Sequence, residues 1–192
     1  MVSLKMNKNS LKNIATEVID LEINALKILK KSINKNFDRA VNLIVDCQSK
    51  IIFCGVGKSG LIAAKIASTF SSVGSPAFSL SANDCLHGDL GSITKKDVLI
   101  LISNSGKSEE IIPIIKFANR NRIKLIGIVS KKNSFLYKAS DIKILLPEVK
   151  ESGLGVVPTS STSIQLAIGD ALAVAALKKK QFSKYDFSRL HP

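Results

Sequence analysis

The sequence predicts an α/β protein, a parallel sheet with helices over both faces. Three observations lead there. Five short runs, Ile51–Cys54, Pro76–Leu80, Val98–Ile102, Lys124–Val129 and Ile142–Leu146, recur through the middle of the chain. Most are continuously apolar rather than alternating, the pattern of strands buried on both sides. Amphipathic stretches separate most of them and suit the crossovers that parallel strands need.

Taken in order, apolar residues at Leu11, Ile14, Ala15, Val18, Leu21, Ala25, Ile28 and Leu29 form one helical stripe ending near Lys31. Ser10 is placed to cap it. A second helix is expected from about Asp38 to Cys47. Both need a surface to cover, either the chain's own sheet or another subunit. The first strand ends in Gly55-Val56-Gly57, and a helix follows from Ser59 to about Phe70. The second and third strands follow in turn. A helix from Glu109 to Ala118, the fourth strand, a small helix near Phe135 and the fifth strand come next. A long helix from Ser161 to Lys180 closes the pattern.

The 192 residues suffice for one good core and are few for two full domains. With 45% apolar and 22% charged residues, the chain reads as globular rather than disordered. No repeat or interdomain linker interrupts it, so residues 1–192 read as one domain with N-terminal helices at 10–48. The net charge of +13 is spread, with excesses of +4, +7 and +2 over residues 1–50, 51–150 and 151–192. Such a field suits a small phosphorylated substrate better than a nucleic acid, which would call for a concentrated basic arm. No membrane association is expected, because the most apolar helical stretch, Leu166 to Leu177, is short and carries Asp170. Cys47, Cys54 and Cys85 form neither a disulfide framework nor a CxxC zinc pair, and Cys54 reads as a small buried hydrophobe. Residues 1–13 lack a signal-peptide core, which makes the cytoplasm the expected compartment.

In such folds ligands sit beyond the carboxyl ends of the strands, where the strand order reverses. Polar residues fall at those ends. Gly55-Val56-Gly57-Lys58-Ser59-Gly60 opens a helix whose free N–H groups face an anion. It is not a nucleotide P-loop, which would need glycine where Ile52 stands. Ser103-Asn104-Ser105-Gly106-Lys107-Ser108-Glu109-Glu110 gathers hydroxyls at the next helix start, with Ser108 a candidate N-cap. Pro158-Thr159-Ser160-Ser161-Thr162 opens the last helix, either as its cap or as a cavity wall. Acid–base candidates are His87, His191, Glu109, Glu110 and Glu151, the last in a glycine-rich loop after the fifth strand.

These loops resemble the sugar isomerase (SIS) domain family, through Gly57-Lys58-Ser59-Gly60, His87-Gly88-Asp89-Leu90-Gly91, Ile102 to Gly106, Pro158 to Thr162, Gly169 to Ala173, and Asp186-Phe187 with His191-Pro192. Within it the chain is similar to the arabinose-5-phosphate isomerases of lipopolysaccharide synthesis, from about residue 12 onward. The resemblance implies a three-layer α-β-α sandwich with a five-stranded parallel sheet. It also implies interconversion of D-ribulose 5-phosphate and D-arabinose 5-phosphate, which supplies 3-deoxy-D-manno-octulosonate, with no cofactor or metal. Homo-oligomers with sites at subunit interfaces are implied as well.

Carried over, Ser59, Ser103, Asn104, Ser105 and Ser108 bind the substrate phosphate, and Gly57, Thr159, Ser160 and Ser161 line the pocket. Lys58, Glu110, Glu151, His191 and His87 are the catalytic candidates. Glu151 is expected to shuttle a proton through an enediol, tuned by burial toward neutrality. Lys58 stabilises the developing oxyanion or binds phosphate. A histidine opens the ring, His191 being preferred to His87. Two departures stand out. The loop after Glu151 is one residue shorter than in many relatives, and the CBS pair that usually follows His-Pro is not in this sequence. A non-catalytic sugar-phosphate sensor, or another phosphosugar isomerase, is the alternative on the same fold.

Overall fold

The structure is a computed structural model that describes residues 10–191. Its elements run α1 (Leu11–Ser32), α2 (Lys35–Val45), β1 (Ile51–Gly55), α3 (Lys58–Ser72), β2 (Ala77–Ser81), α4 (Ala82–Cys85), β3 (Val98–Ser103), α5 (Ile111–Arg120), β4 (Lys124–Val129), α6 (Phe135–Ala139), β5 (Ile142–Leu145), α7 (Ser160–Lys179) and α8 (Lys184–Leu190). A 3-10 turn at Asp89–Ser92 links α4 to β3.

All five strands are parallel, in the order β2-β1-β3-β4-β5. The chain leaves β1 toward β2 and then returns to the other side of β1 with β3. The switch point therefore lies between the carboxyl ends of β1 and β3, where Gly55 pairs with Ile102.

Successive strand residues feed opposite layers, as pleating requires. Ile51, Phe53, Val98, Ile100 and Ile102 pack with α2, α3 and α7 in one apolar cluster. Ile52, Cys54, Leu99 and Leu101 pack with α4, α5 and α6 in the other. Burial on both sides explains why β1 and β3 are apolar at nearly every position. The three-layer sandwich expected from the resemblance is therefore present.

Helix α7 runs through the centre of the first layer. Its 20 residues and mean hydropathy of 1.3 would suffice to cross a bilayer, but half of that window is buried inside the protein. Its closest neighbour is α3, where Ile66 packs onto Gly169 and any Cβ at 169 would overlap it. Lys65 and Asp170 close the same contact with an ion pair. Helix α1 also packs on α7, yet buries only Ala25 and Leu29. Leu11, Ile14, Ile19, Ile23 and Leu26 stay exposed.

Three expectations are corrected. Helix α2 begins at Lys35 because the Asn34 side chain accepts from Asn36 N at 3.0 Å, a stronger start than Asp38 offers. Helix α5 begins at Ile111 rather than Glu109, which puts Pro113 in its first turn, where a missing N–H costs no helical bond. Helix α8 was not expected at all, although Ser183 and Asp186 cap it reciprocally.

At the amino ends of the strands, the buried Asp97 accepts from Lys50 N at 3.0 Å, Thr94 N at 2.6 Å and Thr94 Oγ1 at 2.9 Å. Burial opposes its charge, but bonds from Thr94, Ser49 and Lys50 outweigh that and hold its pKa below the ordinary 3.8. The carboxylate thus pins the start of β1 to the start of β3. Asp97→Ala should cost about 2 kcal/mol at neutral pH by orphaning those donors, or about 4–8 °C in Tm. A melting curve matching that of the parent would refute the pin.

Candidate active site

Eight α-helices are present among the described residues, and their first turns divide into two kinds. Ser10, Asn34, Ser81, Ser134 and Ser183 cap α1, α2, α4, α6 and α8 through their side chains. Helices α3, α5 and α7 have no side-chain bond from their N-cap residues, Gly57, Glu110 and Thr159. The first two follow the strands that flank the switch point, and α7 packs directly on α3. An uncapped first turn presents the positive end of the helix dipole, which favours an anion. In α5 the N–H groups of Ile111 and Ile112 turn back to the carbonyls of Ser108 and Glu109 and Pro113 has none, so its first turn adds no free backbone donor.

The turn after β3 is shaped to keep its donors outward. Ser103 Oγ accepts from Gly106 N at 3.0 Å, and Ser105 Oγ accepts from Lys107 N at 3.3 Å. Each hydroxyl proton remains available to a ligand. Gly106, at φ +62°, admits no side chain, because a Cβ would overlap Ser134 and Val129. Asn104 turns aside: its Oδ1 accepts from Ser130 Oγ at 2.7 Å, which ties the turn to the end of β4. Ser108 does not cap α5; its carbonyl, not its hydroxyl, receives Ile111 N–H at 3.3 Å. A cleft of about 590 Å³ opens beside this turn, with Ser105, Lys107 and Lys132 on one wall and Leu146 on the other.

Ser59 behaves differently. Its Oγ donates to Gln165 Oε1 at 3.1 Å, across the α3–α7 contact. Lys58, at the first position of α3, is exposed and makes no ion pair among the described residues.

Helix α7 already holds an anion of its own. Glu151 Oε2 accepts from Thr159 N at 2.9 Å, Ser161 N at 3.2 Å and, more weakly, Thr159 Oγ1 at 3.4 Å. The loop between is a small hairpin in which Ser152 bridges Val157. Burial raises the pKa of Glu151, but bonds from Ser161 and Thr159 outweigh it and leave the value below the ordinary 4.5. That overturns the expectation of a glutamate tuned toward neutrality, since a carboxylate on a helix start is stabilised as the ion. Ser160, beside it, has a fully buried hydroxyl without a partner.

The histidines are not brought together. His87 is exposed on the loop after β2 and α4, on the carboxyl side of the sheet. His191 follows α8, stacked on Phe187 at 3.8 Å with Nδ1 on Phe187 O at 3.0 Å. By then α7 has carried the chain about 30 Å from the site. Lys180 bonds Ser75, which precedes β2, at 2.9 Å. Within one chain, His191 is thus at the opposite end of the sheet, and Pro192 lies outside the described residues. Glu110 is half-buried at the start of α5, while Glu109 is exposed. Among the described residues, no three His, Cys, Asp or Glu side chains form a metal cluster.

Gln165 is the residue that sequence reasoning missed. A polar side chain inside an apolar helical stretch was its only signal.

A five-stranded parallel α/β sandwich with two helix starts lacking a side-chain cap at its switch point belongs to the class of open-sheet domains whose ligand crevice lies there. The chain is a member of the SIS domain family, whose profile matches residues 44–175. An arabinose 5-phosphate isomerase, KdsD, of Francisella tularensis is 45% identical over 94% of this chain and 56% of its own length. An uncharacterized protein of Rickettsia prowazekii is 39% identical over 97% of this chain and 59% of its own. The chain thus spans little more than half the length of the curated relatives it matches. The structure of Escherichia coli CFT073 c3406 in complex with arabinose 5-phosphate superposes with a TM-score of 0.92 at 36% identity, covering 97% of this chain and 100% of that one.

The Glu151 contacts stabilise the fold as well as setting its charge state. Because the folded pKa is depressed, this contribution is complete above pH 4.5 and fades as pH falls through the lowered value. Glu151→Gln should therefore cost about 1 kcal/mol at pH 7, or about 3 °C, and progressively less as the pH falls below 4.5 through the lowered value. Melting curves of both proteins across that range measure it; a pH-independent difference would contradict the assignment.

Proposed function

We propose that the chain is a cytoplasmic aldose–ketose isomerase acting on a pentose 5-phosphate, interconverting D-arabinose 5-phosphate and D-ribulose 5-phosphate. The observation that carries this reading is the uncapped start of α3 and the hydroxyl-rich turn before α5, which meet at the switch point beside a third helix start that holds a carboxylate. One set of groups takes a phosphate and another offers a base, on neighbouring elements. The Francisella tularensis relative is named for this sugar phosphate, and the Escherichia coli structure holds it.

In this reading the phosphate sits on the proton-donating hydroxyls of Ser103 and Ser105, in the turn that leads into α5. Isomerisation removes the C2 proton of the aldose and returns it to C1 through an enediol. Glu151 Oε2 is engaged by the first turn of α7, and Oε1 is taken as the basic atom. The α7 contacts keep the group ionised and ready, at the cost of proton affinity. Lys58 then lowers the barrier from the substrate side by stabilising the enediolate oxygen. Binding the phosphate orients the reacting carbons.

His191 reaches this chemistry only from a second subunit. The exposed apolar residues of α1, together with Leu154 and Val156 of the Glu151 hairpin, give such a subunit something to cover. We expect a homo-oligomer, and light scattering at working concentration measures it. A monomer that turns over normally would remove His191 from the mechanism.

The decisive assay offers the purified protein pentose, hexose and heptose phosphates in deuterated buffer, read by NMR. Arabinose 5-phosphate should exchange its C2 proton and yield ribulose 5-phosphate, while free arabinose should react at least 100-fold less efficiently. Glu151→Gln should lose both exchange and turnover. Tight binding without any exchange in the parent protein would instead mark a sensor.

A further inference from the structure

Two buried thiols take no part in the chemistry above. The pairing of β2 with β1 sets Cys54 beside Leu80, and α4 starts directly after β2. Cys54, near the end of β1, and Cys85, at the end of α4, fall in one apolar cluster at 0% and 2% exposure. Their contact shows in their acidities. A hydrogen bond with Cys85, and then burial, push the Cys54 thiol far above its ordinary range. The same bond draws Cys85 below its ordinary 9.0, against burial and the carboxylates of Asp89 and Asp84. The third cysteine is remote. Cys47 Sγ donates to the carbonyls of Lys50 and Lys96 at 3.4 and 3.6 Å, at the amino ends of β1 and β3.

One property separates a pair of touching thiols from two small apolar side chains: the pair can be oxidised to a cross-link. We propose that Cys54 and Cys85 form a peroxide-sensitive dithiol, and that their disulfide clamps the loop carrying His87 to the carboxyl end of β1. Access comes through α4. This helix is a single turn, and of residues 81–89 only Ala82 and Cys85 are buried. The bond from Asp84 N to its Ser81 cap is long, at 3.3 Å. Lifting the turn requires only those two side chains to leave the core, and it exposes Cys85 while Cys54 stays in its strand.

Cys85, the more acidic of the two, is the nucleophile. Its thiolate attacks one peroxide oxygen and breaks the O–O bond. That gives a sulfenic acid and a hydroxide, which the proton lost by Cys85 converts to water. The Cys54 sulfur then attacks Cys85 Sγ. The S–S bond forms, the S–O bond breaks, and the hydroxyl leaves as water with the Cys54 proton. Two thiols lose two electrons and two protons, and one hydrogen peroxide becomes two waters. The new bond closes Gly55 to Asp84, with Lys58 and the start of α3, into a covalent loop that stops just short of His87.

The test treats the purified protein and a Cys47→Ser variant with hydrogen peroxide, then counts thiols by alkylation after unfolding and maps peptides by mass spectrometry. The parent should lose two of its three thiols, yield one peptide pair joining Cys54 to Cys85, and recover both thiols with dithiothreitol. Cys47→Ser should form the same cross-link. Oxidation should raise Tm by about 5 °C and slow amide exchange over residues 82–92. Cys85→Ala should form no cross-link and show neither change; if it does not fold, Cys85→Ser is the control.

Both thiols still free after excess peroxide would leave them as core packing and overturn the proposal. Cys85 halting at a sulfinic acid, or a cross-link to Cys47, would overturn it equally. A Cys54–Cys85 bond that left Tm and exchange unchanged would refute the clamp. None of these readouts needs turnover, so their outcome is separate from that of the isomerase reading.

Discussion

The organising constraint is the first turn of a helix, which begins with donors that nothing inside the helix can satisfy. Five helices of this protein satisfy one with a serine or asparagine at the N-cap and are finished. Helices α3 and α5 do not, and both start where the sheet reverses its order. The parallel topology aims them, because each strand delivers its following helix start to the same edge. The buried Asp97 fixes β1 to β3 at the far edge, so the spacing of the two starts is set by a register locked at both ends. The fold thus brings the α3 start and the hydroxyl turn before α5 to one edge, and the proposed anion binding uses both.

Much of this was legible in the sequence. Strand β4 falls on the residues its apolar run marks, and β1, β3 and β5 lie within a residue, since full burial leaves few ways to read Ile51-Ile52-Phe53-Cys54 or Val98–Ile102. The serine turn announced itself by density of hydroxyls after a strand. What escaped was information carried by pairing across the chain. Nothing local to Ser59 says that a glutamine 106 positions away takes its proton. Nor does a glycine-rich stretch say that Glu151 folds back onto residues 159 and 161. The expectation of a raised pKa failed for that reason: burial alone raises a carboxylate, and burial on a helix start lowers it. The place of His191 was hidden by another route, because the length of α7 decides which end of the sheet it reaches.

The same geometry gives the N-terminal helix its meaning. A helix that buries two residues of 22 leaves its stripe for something else to cover. The chain also keeps one candidate proton carrier at the wrong end of its own sheet. The homo-oligomer proposed above addresses both at once, with a second copy covering α1 and bringing its own His191 to the site. The exposed hairpin beyond Glu151 lies on the same account, because its apolar tip is joined directly to the carboxylate.

Glu151 leaves a tension that bears on catalysis. A base parked on a helix dipole is ionised at every physiological pH yet is a poor proton acceptor. Proton removal from carbon needs a matching sink for the charge that develops on oxygen. Where the base is weak, that sink must be strong, and the neighbouring open start of α3, with Lys58 at its first position and no side-chain cap, has the right sign. In the mechanism proposed above, one helix start stabilises the base before reaction, and the other offsets that loss of proton affinity by stabilising the charge that develops on oxygen.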